Sequence, residues 1–340
     1  MTTRSNYKYV FFNSPCNKLR IDKSEYNMIC VRDLEKMDNV QMVSYPLDWA
    51  CYPIRYLFAV HHSAKLNSKF ELPFKNFWFP FYFKNKFNKY EKLCFVFART
   101  LPLEYMYYLR KKYPNAKFVK ITRDLIENGH KWYPEYTEEV LNKVFDIRIS
   151  YDKNDAKRYG IHYWPQYESK IEIKENKIPK YDVFFVGKAK DRLPRLMNIY
   201  NAFKKNGYTC NYYLTEVKPE QKVELPGIEY ATRELSYREV LERISNARCI
   251  LDINQKNAVG YTARVLEAIM YNKLLLTDNM TVKNMEYYDT GYMQCFEDEN
   301  KIDFSMFEHV FEDVDYEYEG EFSPVYLLQF IDKLLVDTFK

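Results

Sequence analysis

Short apolar runs alternate with helical patterns along this chain, and the alternation occurs twice. In the first half Tyr9–Phe12, Val40–Tyr45, Leu93–Phe97, Lys117–Ile121 and Phe145–Ser150 read as strands. Helix-like stretches lie between them at Leu47–Lys65, Leu101–Lys112, Thr137–Lys143 and Lys153–Tyr159. Strands separated by helices return through crossovers rather than hairpins, so the pattern predicts a parallel sheet covered on both faces. The polar segment Glu168–Lys180 reads as a linker. The pattern then restarts with a buried strand, Tyr181–Gly187, and an amphipathic helix carrying Leu193, Leu196, Met197, Tyr200 and Phe203 on one face. Strands Cys210–Leu214, Cys249–Ile253 and Leu274–Thr277 follow. One helix starts at Ser236, where Ser236 and Glu239 spell a capping box, and another covers Tyr261–Tyr271. Pro324 opens a last helix, Val325–Phe339.

With 340 residues, two cores are expected rather than one. The expected class is α/β with two Rossmann-like domains facing a cleft. Residues 1–178 form the first domain and 179–322 the second, while a terminal helix at 323–340 crosses back to the first. Such sheets bind ligands beyond the carboxyl ends of their strands, so the cleft is the expected site. Only 8 glycines and no low-complexity tract exclude collagen-like, disordered and repeat architectures. No run of 18 apolar residues predicts a transmembrane helix, and Met1–Asn6 lacks the apolar centre of a secretory signal. Seven cysteines without a CxxC pair suit reduced thiols in a cytoplasmic protein rather than a zinc site. The net charge of +4 conceals +12 over residues 1–180 and −8 over 181–340. The halves either meet different partners or attract each other across the cleft.

Leu251–Asn279 carries the chemistry. A strand ends at Ile253, a polar loop Asn254–Gly260 follows, and a helix begins at Tyr261. Gly260 permits a tight turn and close approach of a ligand. The free N–H groups around Tyr261, Thr262 and Ala263, with the helix dipole, predict an anion site. Arg264 can fork onto phosphate oxygens, and Glu267 lies on the same helix face at i+3. Against this stands the plainer possibility of an exposed Arg264–Glu267 pair beside a core helix.

The pattern G-Y-T-x-R-x-x-E-A at Gly260–Ala268, followed by Lys273–Asn279, resembles the donor lobe of GT-B glycosyltransferases. It is similar in particular to a bacterial group that builds capsule, exopolysaccharide and lipopolysaccharide. Tyr181–Gly187 matches that group's opening of the second lobe. Arg123–Asn128 and Ser150–Gly160 match two elements of the first. The likeness runs from Lys117 to Asn279 and departs at Arg123 and Leu125, where the group tends to carry Trp and Ser.

The resemblance implies a nucleotide-sugar donor, a UDP-sugar above all, in the second lobe. It also implies a glycan or lipid-linked glycan acceptor in the first, with no metal ion and no cofactor. Arg264, Tyr261, Thr262 and Lys188 would hold the diphosphate and Glu267 the ribose. Gly187 and Arg192 lie in the turn after the first strand of the second lobe. Arg233, in the segment Ile228–Arg233 after a short strand, is placed to hold the nucleobase, and Asn254 and Gln255 the sugar or phosphate. A catalytic base is sought at Asp124, which as readily caps a helix, with His130 nearby. His61 and His62 are adjacent and face apart, so they make no metal pair. Asp313-Val314-Asp315 reads as a solvated face. The basic aromatic stretch Lys65–Lys92 suits anionic lipid headgroups at the inner face of the membrane, or packs as a loop on its own lobe; no nucleic-acid module is visible. Two alternatives are a nucleotide-sugar epimerase and a non-catalytic sugar-nucleotide or surface-binding protein.

Overall fold

The computed structural model describes residues 7–13, 21–43, 47, 49–67, 69–70, 72–82, 92–174, 180–255, 258–308 and 314–338. Six strands form the first sheet: β1 (Lys8–Phe12), β2 (Val40–Val43), β3 (Leu93–Phe97), β4 (Lys117–Thr122), β5 (Ile147–Ser150) and β6 (His162–Tyr163). Six more form the second: β7 (Tyr181–Lys188), β8 (Cys210–Thr215), β9 (Ile228–Ala231), β10 (Ala247–Asp252), β11 (Leu274–Thr277) and β12 (Met293–Cys295). Every pairing is parallel, in the orders β2-β1-β3-β4-β5-β6 and β12-β11-β10-β7-β8-β9. This is the expected α/β architecture. The strand order reverses between β1 and β3 and again between β7 and β10, and a crevice opens at each reversal.

The period of two along each strand builds two cores per sheet. In β1, Val10 and Phe12 join Phe95, Phe97 and Phe118 on one face. Tyr9 and Phe11 join Cys94, Val96 and Val119 on the other. That second face is closed by the helix Pro324–Thr338, whose Leu327, Leu328, Ile331 and Leu335 are buried there. Tyr9 Oη donates to Asp332 on the same helix.

Several elements differ in extent from the sequence reading. Leu47–Lys65 contains two helices, Tyr52–His61 and Ala64–Asn67. Ile228–Arg233 does not follow a strand; it contains one, β9. The helix expected over Tyr261–Tyr271 spans Ala263–Met270, because Thr262 is its N-cap and accepts from the Val265 N–H. Ser236 and Glu239 form the capping box in full. The Asp313-Val314-Asp315 run falls partly outside the described residues.

One carboxylate joins the two lobes. Asp152 caps the helix Lys153–Tyr159: its Oδ1 accepts from the N–H groups of Asn154 at 2.9 Å and Asp155 at 3.1 Å. Its Oδ2 accepts from the N–H groups of Val259 and Gly260, each at 2.9 Å. Asp152 is wholly buried, so each bond replaces one lost to water. Beside it, the Tyr151 ring lies on Gly260, where an added Cβ would sit 2.4 Å from the ring. The close approach that Gly260 permits is taken up on this side by the Tyr151 ring.

Asp152→Ala leaves four backbone donors, two at a helix start and two in the loop before Thr262, without their acceptor. A loss of about 2–4 kcal/mol in urea denaturation is expected. An unchanged midpoint would show that the contact contributes nothing.

Candidate functional site

The carboxyl ends of β7 and β10 flank a crevice of about 190 Å³ in the second lobe. Gly187, Lys188, Arg192, Asn254, Gln255, Gly260, Thr262 and Arg264 line it, with Tyr151 of the first lobe and Lys190. Among the described residues no carboxylate lines it.

Arg264 stands in the first turn of the helix Ala263–Met270. Its Nε donates to Asp252 Oδ1 at 3.2 Å and its Nη1 to the Val186 carbonyl at 3.2 Å. Asp252, fully buried at the end of β10, also accepts from Thr262 Oγ1 at 2.9 Å and Thr277 Oγ1 at 3.0 Å. These contacts fix the guanidinium plane, so no rotamer freedom remains to be lost on meeting an anion. Arg192 donates to the Ile253 carbonyl at 2.6 Å and to the Lys188 carbonyl. Burial, then the charge of Arg264, pushes the Arg192 pKa down. Two guanidiniums thus crowd one wall. Lys188 bonds Glu216 at 2.7 Å and lies 3.5 Å from Glu234, and the Glu216 hydrogen bond holds its pKa up. The Asn254 N–H donates to Asp278 at 2.8 Å, while its buried side-chain oxygen has no partner.

Three of the sequence candidates stand elsewhere. The Tyr261 ring is buried in the core beneath the helix. Arg233 makes a two-pronged pair with Glu239, at 2.8 and 2.6 Å, and so braces the capping box. That pair is the leading cause holding the Glu239 carboxyl down at about 2. Glu267, expected on the open polar face, is 3% exposed and enclosed at the seam between the lobes.

At that seam Glu267 neighbours a second buried acid, Glu168. Glu168 accepts from Tyr237 Oη and, at 3.3 Å, from Tyr26 Oη. Tyr26 Oη in turn accepts from Arg123 at 2.9 Å, and the Arg123 guanidinium lies 4.5 Å over the Tyr167 ring. Burial pushes both carboxyls up, Glu168 to about 8 and Glu267 to about 7. The pair therefore keeps a proton at neutral pH. Glu168 gave no signal in the sequence, where it looks like the first residue of a polar linker. Asp252 did: it is a charge closing an otherwise apolar strand.

The first-lobe crevice, about 360 Å³, opens at the ends of β1, β3 and β4. Asp124 is exposed at its lip, where Oδ1 accepts from the Leu125 N–H at 2.8 Å and Asn128 Nδ2 at 3.0 Å. It orders that turn, while Asp155 accepts from the Ile126 N–H at 2.8 Å and serves the helix Ile126–Trp132. His130 lies in the same crevice, 3.2 Å from Glu138.

No protein-family model and no curated protein sequence matches this chain. Solved structures do. An α-glucosyltransferase in complex with UDP and a 13-mer DNA superposes with TM-score 0.53 and 12% identity, covering 97% of this chain and 99% of that one. The fold is GT-B. Two further structures align at TM-score 0.48. The UDP-GlcNAc 2-epimerase from Neisseria meningitidis bound to UDP-GlcNAc has 10% identity and covers 98% of this chain and 99% of its own. Anabaena HepE in complex with UDP and glucose has 9% identity and covers 97% and 99%. In GT-B terms the two crevices face each other from the carboxyl ends of the two sheets.

The seam acids set a pH dependence. An acid with a raised folded pKa binds its proton more tightly folded than unfolded. Its stabilisation is full below the unfolded value of 4.5 and falls as pH rises toward 7 to 8. Above that range it is flat. In thermal denaturation from about pH 5 to pH 8.5, Glu168→Gln should flatten the wild-type decline and gain on the wild type at the alkaline end. Parallel curves for the two proteins would contradict the shared-proton reading.

Proposed function

We propose that the chain is a glycosyltransferase that moves a sugar from a nucleotide diphosphate sugar, a UDP-sugar, to a growing bacterial surface glycan of capsule or lipopolysaccharide type. The supporting observation is the second-lobe crevice. It lies at a topological switch point, is lined by Lys188, Lys190, Arg192 and Arg264, and has no lining carboxylate among the described residues. A diphosphate suits that charge and place. Arg264 and the helix start at Thr262 stabilise the charge that builds on the leaving group, so no metal ion is required. Gly187, Asn254, Gln255 and Gly260 form the walls around the phosphates and sugar. Ligand pockets for small molecules commonly span about 300–1,000 Å³, so a crevice of about 190 Å³ holds the diphosphate alone. The nucleoside reaches Glu267 as the lobes part at the Tyr26–Glu168–Tyr237 contact. The acceptor occupies the first-lobe crevice, where Asp124 takes the proton of its hydroxyl.

A second reading has one specific observation in its favour. Glu168 and Glu267 place two carboxyls of raised pKa at the lobe seam, a pairing that suits the proton transfers of a nucleotide-sugar epimerase.

We further propose a cytoplasmic protein held peripherally at the inner membrane face. No helix among the described residues is long and apolar enough to cross a membrane. Large apolar side chains instead crowd the surface of one segment: Tyr52, Tyr56, Leu57, Phe70, Phe74 and Phe77 are each more than half exposed. Lys69 and Lys75 stand among them, and residues 83–91 of the basic aromatic stretch lie outside the described residues. Such a surface suits anionic lipid.

A panel of UDP-, GDP-, dTDP- and CMP-sugars tests the donor site by thermal shift. At a hundredfold excess over Kd the responding donor adds about 2.7 kcal/mol of stability, and Arg264→Ala abolishes the response. Silence toward every nucleotide sugar would overturn both enzymatic readings. Slow release of free sugar supports transfer, an isomeric nucleotide sugar supports epimerisation, and binding with neither leaves a non-catalytic binder. For the membrane, sedimentation with phosphatidylglycerol vesicles should exceed that with phosphatidylcholine by about tenfold and fall in Phe74→Ser/Phe77→Ser, since each Lys or Arg near an anionic surface contributes about 1 kcal/mol. Equal sedimentation with both lipids would rule the surface out.

A further inference from the structure

The first-lobe crevice holds a half-buried cation that the proposed chemistry has not used. Lys120 lies on β4, and its Nζ points at Thr100 Oγ1 at 3.3 Å, beyond the end of β3. Among the described residues no carboxylate pairs with it. Its charged neighbours are cations: burial first, then Arg99 and Arg148, push the Lys120 ammonium down to about 7.

The other cations of the crevice are compensated. Arg148 is two-pronged on Glu138, at 2.7 and 3.0 Å, and donates to Asn142 at 2.8 Å. Arg123 is spent on Gln166, Tyr26 and Cys30. Asp124, the one carboxylate among the lining residues, is turned into its own loop at the lip. Lys120 is half-buried beside Arg148 on the neighbouring strand and faces the crevice with no acid of the described residues against it, so an anion entering there meets an open cation and favours its charged form.

The mouth of the crevice is aromatic. Trp132 and Tyr133 line it and are 79% and 41% exposed, while Tyr136 is buried deeper and donates to the Leu101 carbonyl at 2.6 Å. Flat rings at the rim with a cation and a hydroxyl inside suit a sugar ring that carries a negative charge.

We propose that the first-lobe crevice binds an anionic sugar, its phosphate or carboxylate on Lys120 and Thr100 and its ring against Trp132 and Tyr133. This rests on the reading of that crevice as the acceptor site and adds the acceptor's charge to it. A hydroxyl of such a sugar lies on the Asp124 side, so the charged group orients the ring for transfer.

The test uses the full chain and Trp fluorescence, with glucose 1-phosphate, glucuronate and glucose as probes. One or both anionic sugars should bind at least about tenfold more tightly than glucose, a preference of about 1.4 kcal/mol. Glucose 1-phosphate alone identifies a phosphate seat, and glucuronate alone a carboxylate seat. Lys120→Met should erase the preference, and because it removes a half-buried charge with no acid of the described residues against it, it should melt no lower than the wild type. Thr100→Val, outside any charge balance, should weaken the same probes if Lys120→Met fails to fold. The UDP-sugar thermal shift should persist in both variants, since their changes lie in the other lobe. Equal binding of the three sugars, or an undiminished preference in Lys120→Met and Thr100→Val, overturns the proposal. Anion preference in a protein that ignores every nucleotide sugar would support the anionic seat while removing the transferase reading.

Discussion

Asp152 is the contact on which the rest of the arrangement depends. Its carboxylate is buried completely and accepts four backbone N–H bonds, two from each lobe. A buried carboxylate is tolerated only when its oxygens are saturated, and here saturation needs both lobes together. The N-terminus of one helix and the loop leading to another converge on one negative group. This contact brings Tyr151 onto Gly260 and so shapes the loop that leads to Arg264. The second-lobe crevice is therefore a joint product: its floor belongs to the second sheet and one wall to the first.

Charge is distributed on the same logic. In the second lobe two of the cations lining the crevice are held by acids set behind or beside them, Arg264 by Asp252 and Lys188 by Glu216, while Arg192 is held by the carbonyls of Ile253 and Lys188. These acids aim the cations and hold them in place, while the lining itself stays positive. The acidic excess of the second half is thus partly the counterweight to its own basic site. The first lobe carries the larger positive excess, and there Lys120 stands beside Arg99 and Arg148 with no acid of the described residues against it. Both crevices thus mix cations held by acids with cations that are not, Arg148 on Glu138 beside Lys120 in the first and Arg264 on Asp252 beside Arg192 in the second.

The seam between the lobes inverts that logic. Glu168 and Glu267 are acids set against each other, with Tyr237 and Tyr26 hydroxyls and the Arg123 guanidinium around them. Their mutual repulsion in a dry place is relieved by a proton rather than by a cation. Arg123, stacked on Tyr167, adds a charge that steadies Glu168. Burial at this seam is the leading cause of both raised pKa values, so the packing of the lobes and the proton rest on the same two side chains.

The architecture was legible because both periodicities are strong in this chain. β3 and β11 and the helix Lys153–Tyr159 fall where the residue pattern puts them, and the Ser236–Glu239 capping box forms in full. β6, with two residues, and β12, with three, are too short for a period of two to register. The site was legible at Arg264, Thr262, Lys188 and Arg192, whose positions follow from local rules about strand ends and helix starts. It was not legible at Glu267, whose surroundings come from the other lobe, or at Arg233, which is claimed by Glu239 of the neighbouring capping box. Glu168 approaches Glu267 across about a hundred residues, and Tyr151 reaches Gly260 at a similar separation. Local pattern says which face of a helix is polar. Whether that face meets water, a ligand or another buried carboxyl is decided by the packing of the partner lobe.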